Sequence, residues 1–285
     1  MKFTQILILF LALVLWVGCD KLDNPVIVLN NQYLEGVYGP PPEFVTLDNP
    51  RKNALIEEFT GHLCGFCPPA TALLKQLKAQ HGARLVPVQI HAGTLASVSA
   101  PPYGANFNTP AGDIFWSQLE NGFNPCARID RTGGLSNFYI DNQWAAKVNE
   151  QLNVQPKVAL QMVTEYAEPD NNLNIHVHAQ FLSALQGNFQ LIVLLLESGI
   201  ISPQADYSLN PSTVYEYEHN FVLRTSVTNA LGEPLRNNPR MNDQLTKSYT
   251  LPLNPDWVPG NCTAIAYVID ASSGEAINAV ESRVE

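Results

Sequence analysis

The chain has 285 residues, 46% of them hydrophobic and 15% charged, with a formal net charge of −10. That length allows one large domain or two ordinary ones, and the apolar content excludes wholesale disorder. The acidity excludes the basic footprint that nucleic-acid recognition requires.

The chain opens on Lys2 and an apolar run from Ile6 to Val17. Such a run is shorter than the roughly 20 residues of a spanning helix and suits a secretory signal, so residues 1–18 are read as a lipoprotein signal peptide. The stretch Leu15-Trp16-Val17-Gly18-Cys19 has the form of a bacterial lipobox, with Trp16 standing where that pattern prefers Leu. It predicts cleavage before Cys19 and lipidation of Cys19, which would hold the mature protein to a membrane through its acyl chains. Residues 19–50 are polar and proline-rich, with Gly39-Pro40-Pro41-Pro42, and are expected to form an extended tether. A strand around Val26 to Leu29 is the alternative.

From Asn53 the pattern alternates. Ala54 to Phe59 predicts a strand, Thr71 to Gln80 a helix with Leu73, Leu74 and Leu77 on one face, and Arg84 to His91 a second strand. A helix through Trp116 and Leu119 follows a loop, then a short strand from Ala127 to Asp130 and a helix from Trp144 to Leu152. This β-α-β…β-α order predicts an α/β domain over residues 51–153. Beyond it the period becomes two. Strands are expected near Val158, over Leu173 to Phe181, Phe189 to Leu196 (apolar throughout, hence buried on both faces), Tyr215 to Val227, Gln244 to Leu251, Thr263 to Ile269 and Ala276 to Val284. Ser272-Ser273-Gly274 would turn the last two into a hairpin. Seven short strands predict an immunoglobulin-like β-sandwich domain over residues 154–285.

With Cys19 assigned to lipid, four cysteines remain: Cys64, Cys67, Cys126 and Cys262. Outside the cytoplasm a disulfide is permitted, but two cysteines three apart and two scattered ones make a poor structural framework. Cys64-Gly65-Phe66-Cys67 follows a strand and precedes a helix, which predicts Cys64 at a helix N-terminus. There the dipole and free N–H groups favour a thiolate, the attacking species in disulfide exchange. Cys64, the more exposed of the two, would attack, and Cys67 would resolve the mixed disulfide.

The stretch Ile56-Glu57-Glu58-Phe59-Thr60-Gly61-His62-Leu63-Cys64-Gly65-Phe66-Cys67 resembles the active-site segment of thioredoxins and protein disulfide isomerases. That resemblance implies a thioredoxin-like fold, a Cys64–Cys67 disulfide in the oxidised state, and Glu58 as buried proton acceptor for Cys67. It also implies a cis proline facing the dithiol, and Asn124-Pro125-Cys126 before a strand makes Pro125 the candidate. Two features depart from it. Pro68 and Pro69 follow the motif, and Cys126 stands where thioredoxins more often carry Thr. Cys126 is thus a candidate third thiol or metal ligand, against a buried inert cysteine. Over most of its length the chain resembles the Omp28-related outer-membrane lipoprotein family, through EEFTGHLCGFCPPA, the Tyr217 to Arg224 strand and the Ala264 to Val284 hairpin. The resemblance implies a cell-envelope location, outer-membrane anchored.

Three readings follow. The first is a thiol–disulfide oxidoreductase built on Glu58, Cys64, Cys67 and Pro125, acting on protein thiols or disulfides. The second is a non-catalytic surface binding protein with an inert CxxC disulfide. The third is a metal site of Cys64, Cys67, His62 and Cys126. His176 and His178 on one strand side read as structural, His91 as rim or core, and Cys262 as a buried small residue. No phosphate loop, serine elbow or HExxH helix is present, so no cofactor is expected.

Overall fold

The computed structural model describes residues 31–284. The signal segment, Cys19 and the Val26 to Leu29 stretch lie outside the described residues. A short helix α1 (Glu35–Tyr38) precedes β1 (Ala54–Thr60), α2 (Cys67–His81), β2 (Leu85–His91), α3 (Pro110–Ser117), β3 (Cys126–Ile129) and α4 (Asp141–Leu152). Then come β4 (Val158–Ala167), β5 (Asn172–Phe181), β6 (Asn188–Glu197), β7 (Ile200–Ile201), β8 (Gln204–Ala205) and β9 (Thr213–Val214). The chain finishes with β10 (Glu218–His219), β11 (Val222–Ser226), β12 (Glu233–Asn237), β13 (Gln244–Pro252), β14 (Cys262–Asp270) and β15 (Ala276–Arg283). The fold is mostly β with a few helices.

An eight-stranded mixed sheet organises the molecule, in the order β15-β14-β6-β11-β2-β1-β3 with β12 also on β6. β1 and β2 run parallel, and β3 is antiparallel to β1 with Phe59 opposite Cys126. β11 joins the two arms: it is antiparallel to β6 and meets β2 in parallel at Val222–Gln89. Hydrogen bonding therefore crosses the boundary expected at residue 153. The reason is burial, since β2 and most of β6 are apolar on both sides and each needs a neighbour and two covered faces.

The strands beyond residue 153 divide between this sheet and a three-stranded one, β13-β5-β4. Odd residues of β6 (Leu191, Val193, Leu195) pack with Ala264, Ala266 and Val268 against Ile175, Val177 and Tyr249 of the smaller sheet. On the other arm, α2 and α4 cover β1 and β3 through Leu74, Leu77, Trp144 and Val148. Even residues of β6 (Ile192, Leu194, Leu196) share a third cluster with Leu55, Phe59, Val88, Ile90 and Phe115 of α3. The arms turn toward one another around that cluster. Asn53 N–H donates to Asn278 Oδ1 at 2.8 Å, and Ala276 N–H donates to the Asp130 carbonyl at 2.8 Å.

Residues 31–50 correct the tether expectation. Gln32 bridges to Tyr249, Asn31 accepts from the Thr250 amide, and the Val45 carbonyl accepts from Gln161. Tyr33 packs edge-on against His176 and Phe44 stacks on His178. The segment is held on the outer face of the three-stranded sheet, because β5 presents aromatic and hydrogen-bonding side chains there. The strand expected from Tyr215 to Val227 is also broken. Phe221 takes a left-handed φ of 55°, which separates β10 from β11.

Candidate functional site

The dithiol segment begins where β1 ends. Gly61 is required there, since a Cβ at that position would lie 2.3 Å from the Leu95 carbonyl oxygen. Two successive turns follow, with Cys64 N–H on the Gly61 carbonyl and Cys67 N–H on the Cys64 carbonyl. α2 starts at Cys67 and accommodates Pro68 and Pro69 in its first turn, where a missing N–H costs no helical bond. Cys64 therefore sits in the turn before the helix rather than at its first residue.

Cys64 and Cys67 form a disulfide with a Cα–Cα separation of 5.3 Å. Each is only 1% exposed, so the expectation of an exposed Cys64 is corrected. The cover is a hairpin, residues 200–219, inserted between β6 and β11. Its outgoing limb (β7, β8) pairs with its returning limb (β10, β9). Ala205 N–H donates to the His62 carbonyl at 2.8 Å and Tyr207 N–H to the Gly65 carbonyl at 3.0 Å. Gln204 Nε2 donates to the carbonyls of Gly61 (3.2 Å) and Cys64 (3.0 Å). A Cβ on Gly65 would lie 2.3 Å from the Tyr207 ring, so only glycine lets that ring rest on the loop.

Beneath the start of α2 lies Glu58, fully buried. Thr71, one helical turn past Cys67, donates its hydroxyl to Oε1 at 3.0 Å, and Gln89 Nε2 donates to Oε2 at 2.7 Å. Burial dominates these bonds and the nearby Lys75, and pushes the carboxyl up to about 7. The neighbouring Glu57 faces the other way, into the core between the arms. There it accepts from Arg128 Nε at 2.9 Å and from Arg131 Nε and Nη2 at 2.9 and 2.6 Å. Burial opposes its charge, but the two guanidinium groups outweigh it and hold the carboxyl down at about 2.

The Asn124–Pro125 bond is cis, and Pro125 leads directly into Cys126 opposite Phe59. Cys126 is fully buried and burial pushes its thiol up to about 12; Cys262, also buried, is pushed to about 12 in the same way. Both remain protonated thiols among apolar neighbours. His62 is buried, bonded through Nε2 to the Ser97 carbonyl at 3.0 Å. It belongs to an aromatic cluster with Tyr103, Phe107, His91 and His219; the last two ring centroids lie 5.5 Å apart. Burial pushes His91 well below the usual histidine range, with His219 and His62 adding to the effect, and pushes His219 down to about 4. Among the described residues no three histidine, cysteine or acidic side chains are arranged to hold a metal, so the metal reading of Cys64, Cys67, His62 and Cys126 is not supported. His176 and His178 bond Ser248 and Thr246 across the sheet, as structural histidines do.

Sequence reasoning missed Thr71, Gln89, Gln204, Tyr207 and His219. Thr71 and Gln89 carried a signal: one stands four residues after Cys67 on the predicted helix, the other is a polar residue inside an apolar strand. The hairpin residues carried none, because nothing local says that a segment some 140 residues away covers the motif.

These features are those of a β-rich protein with a mixed sheet and a buried CxxC disulfide. The chain belongs to the family of outer membrane protein Omp28, whose family model matches residues 115–285. It is therefore a protein of the outer membrane, and no described helix is long and apolar enough to cross a membrane. Among solved structures it is similar to HBP35 of Porphyromonas gingivalis, at 15% identity and a TM-score of 0.62, over 83% of this chain and 76% of that one. It is also similar to AGR_C_4864 of Agrobacterium tumefaciens, at 12% identity and a TM-score of 0.50, over 83% and 96%. A domain of the outer membrane lipoprotein Omp28 of Porphyromonas gingivalis matches over 46% of this chain and 89% of its own, at 20% identity and a TM-score of 0.32. No curated protein matches the chain.

Proposed function

We propose that the protein is a lipid-anchored thiol–disulfide oxidoreductase of the outer membrane, held through lipid on Cys19 and working through the Cys64–Cys67 pair on protein thiols or disulfides. On this reading residues 51–153 follow a thioredoxin-like plan, with an immunoglobulin-like arrangement of later strands attached. The observation that carries it is Glu58, a buried carboxyl under the first turns of α2 whose proton is exchangeable near neutral pH. A purely structural disulfide has no use for such a group, and burying it costs stability.

The chemistry is a pair of exchanges. A client thiolate attacks Cys64 Sγ; that bond forms as Cys64–Cys67 breaks, and Cys67 leaves as a thiolate. Protonated Glu58 is the proton source for that thiolate. A second client thiolate then attacks the client sulfur of the mixed disulfide, and Cys64 leaves as a thiolate. The client is oxidised by two electrons and the cysteine pair is reduced by two; the reverse sequence reduces a client disulfide.

The test is the reduction potential of Cys64–Cys67 together with exchange against a protein disulfide, in the wild type and in Glu58→Gln. Exchange whose rate loses its pH dependence near 7 in Glu58→Gln is the expected result. A second reading, an inert disulfide on a surface binding protein, is favoured by the 1% exposure of both cysteines. It predicts no exchange and a potential below about −300 mV, the range of structural bridges.

A further inference from the structure

The hairpin over the disulfide is attached differently from the rest of the chain. Of its residues only Ser202, Gln204, Ala205 and His219 are buried, and Ala205 is the sole buried apolar side chain among them. None of the three apolar clusters contains a residue between 200 and 219. Apart from the His219 ring, which packs on His91 and Phe107 at its returning end, its attachment is mostly hydrogen bonds: those to residues 61–65, Tyr103 with Thr213 at 2.8 Å, and Lys75 to the Glu218 carbonyl at 3.2 Å. Segments with few buried apolar contacts open at lower free energy than the core. Both roots of the hairpin lie in the left-handed region, Gly199 at φ 73° and Phe221 at φ 55°. A cleft of about 400 Å³ lined by Ser198, Gly199, Asn220 and Phe221 lies beside them.

The outgoing limb also binds in a particular way. Ala205 and Tyr207, two residues apart, donate their amides to the carbonyls of His62 and Gly65. Alternate amides aimed at another segment's carbonyls resemble the capture of an extended peptide, here on two carbonyls three residues apart in successive turns. The Tyr207 ring lies on Gly65 and against Phe66, with ring centroids 5.1 Å apart, and Phe66 is 70% exposed. The carbonyls of Gly61, His62, Cys64 and Gly65 thus form a rail beside the disulfide.

We propose that the hairpin 200–219 is a built-in client mimic, occupying the rail formed by residues 61–65 until an extended, cysteine-bearing polypeptide segment takes its place. When it swings out on its two roots, Cys64 Sγ becomes reachable and the client backbone donates its amides to the rail's carbonyls. The aromatic at Tyr207 defines what the rail prefers: a large planar side chain two residues after a small one. This deepens the exchange reading above and rests on it.

The test uses the full chain in detergent. The rate at which dithiothreitol reduces Cys64–Cys67 is compared in the wild type, in a Gln204→Ala, Tyr207→Ala double variant, and in a variant whose residues 204–214 are replaced by a short Asn-Gly turn. Removing the limb is expected to raise the rate by roughly tenfold or more, because the closed state no longer protects the sulfur. A synthetic peptide of residues 202–208, added to the shortened variant, is expected to slow reduction again, and the same peptide with Tyr207→Ala to do so less well. Equal rates in wild type and both variants, or a peptide without effect on the shortened one, would overturn the proposal. If the shortened variant does not fold, the double variant and the exchange rates of the Ala205 and Tyr207 amides decide: protection as high as that of β6 counts against a gate. Faster reduction with no exchange against protein disulfides would keep the gate and remove the oxidoreductase reading.

Discussion

Glu57 and Glu58 are adjacent, identical in chemistry and both fully buried, yet one is held at about 2 and the other is pushed to about 7. Strand alternation sends them to opposite faces of β1. Glu57 meets two guanidinium groups and ties β1 to β3 and, through the Arg131–Tyr267 bond of 2.7 Å, to β14. Glu58 is hydrogen-bonded only to neutral donors, Thr71 and Gln89, and the more distant Lys75 does not outweigh its burial. Burial alone does not set a carboxylate's state; what waits on the buried side does. One face holds the arms together through ion pairs; on the other, burial leaves a carboxyl that takes up a proton near neutral pH.

The comparison breaks most visibly at Glu57. Glu57→Gln leaves Arg128 and Arg131 buried without a counter-charge, and a loss of about 3–5 kcal/mol is expected in chemical denaturation. A loss under about 1 kcal/mol would mean that water reaches the guanidiniums and that the pair is not what joins the arms.

Glu58→Gln sharpens the other side. Its carboxyl is raised in the folded protein, so the native state binds the extra proton between about 4.5 and 7. Stability contributed by this group is present below that window and falls as pH rises through it, by about 3 kcal/mol in all. The wild-type-minus-variant difference in unfolding free energy should therefore slope downward from pH 4.5 to 7 and be flat above. A flat difference throughout would place Glu58 in contact with solvent.

The histidine cluster carries the opposite sign. His219 is lowered to about 4, so the unfolded chain binds its proton first as pH falls below 6.5. Stability is present above 6.5 and is lost as pH drops toward 4. His219→Phe should recover about 2 kcal/mol at pH 5, read as a higher denaturation midpoint than wild type at that pH alone. Equal midpoints at pH 5 and at pH 8 would show that the ring is solvated. The smallest effect belongs to Cys126→Ala. It removes one buried sulfur for about 1 kcal/mol and should leave the disulfide's reduction rate unchanged, since that thiol stays protonated and away from exchange.

Much of this protein is legible in its sequence. The β-α-β order from Ala54 to Leu152, the doubly buried run Phe189 to Leu196 and the terminal hairpin follow from hydrophobic period and turn residues, which are local quantities. Glu58, Cys64, Cys67 and Pro125 could be singled out because their spacing around a strand–turn–helix is also local. What could not be read was every relation between distant segments. No pattern near Gln89 says that Val222 pairs with it, and nothing in residues 31–50 announces a berth against His176 and His178.

The difference is widest at the Cys64–Cys67 segment. That a dithiol follows a strand and leads into a helix, with an acidic residue six positions earlier, is written in the local order of residues, because strand period and helix start are set by neighbouring side chains. It takes the folded chain to close off both sulfurs, to set Glu58 against neutral hydrogen-bond partners and Glu57 against arginines, and to run one sheet through both halves. Those outcomes depend on which far-off segment satisfies a buried group or an open backbone edge, and such pairing is chosen by the folded whole rather than by any stretch of chain.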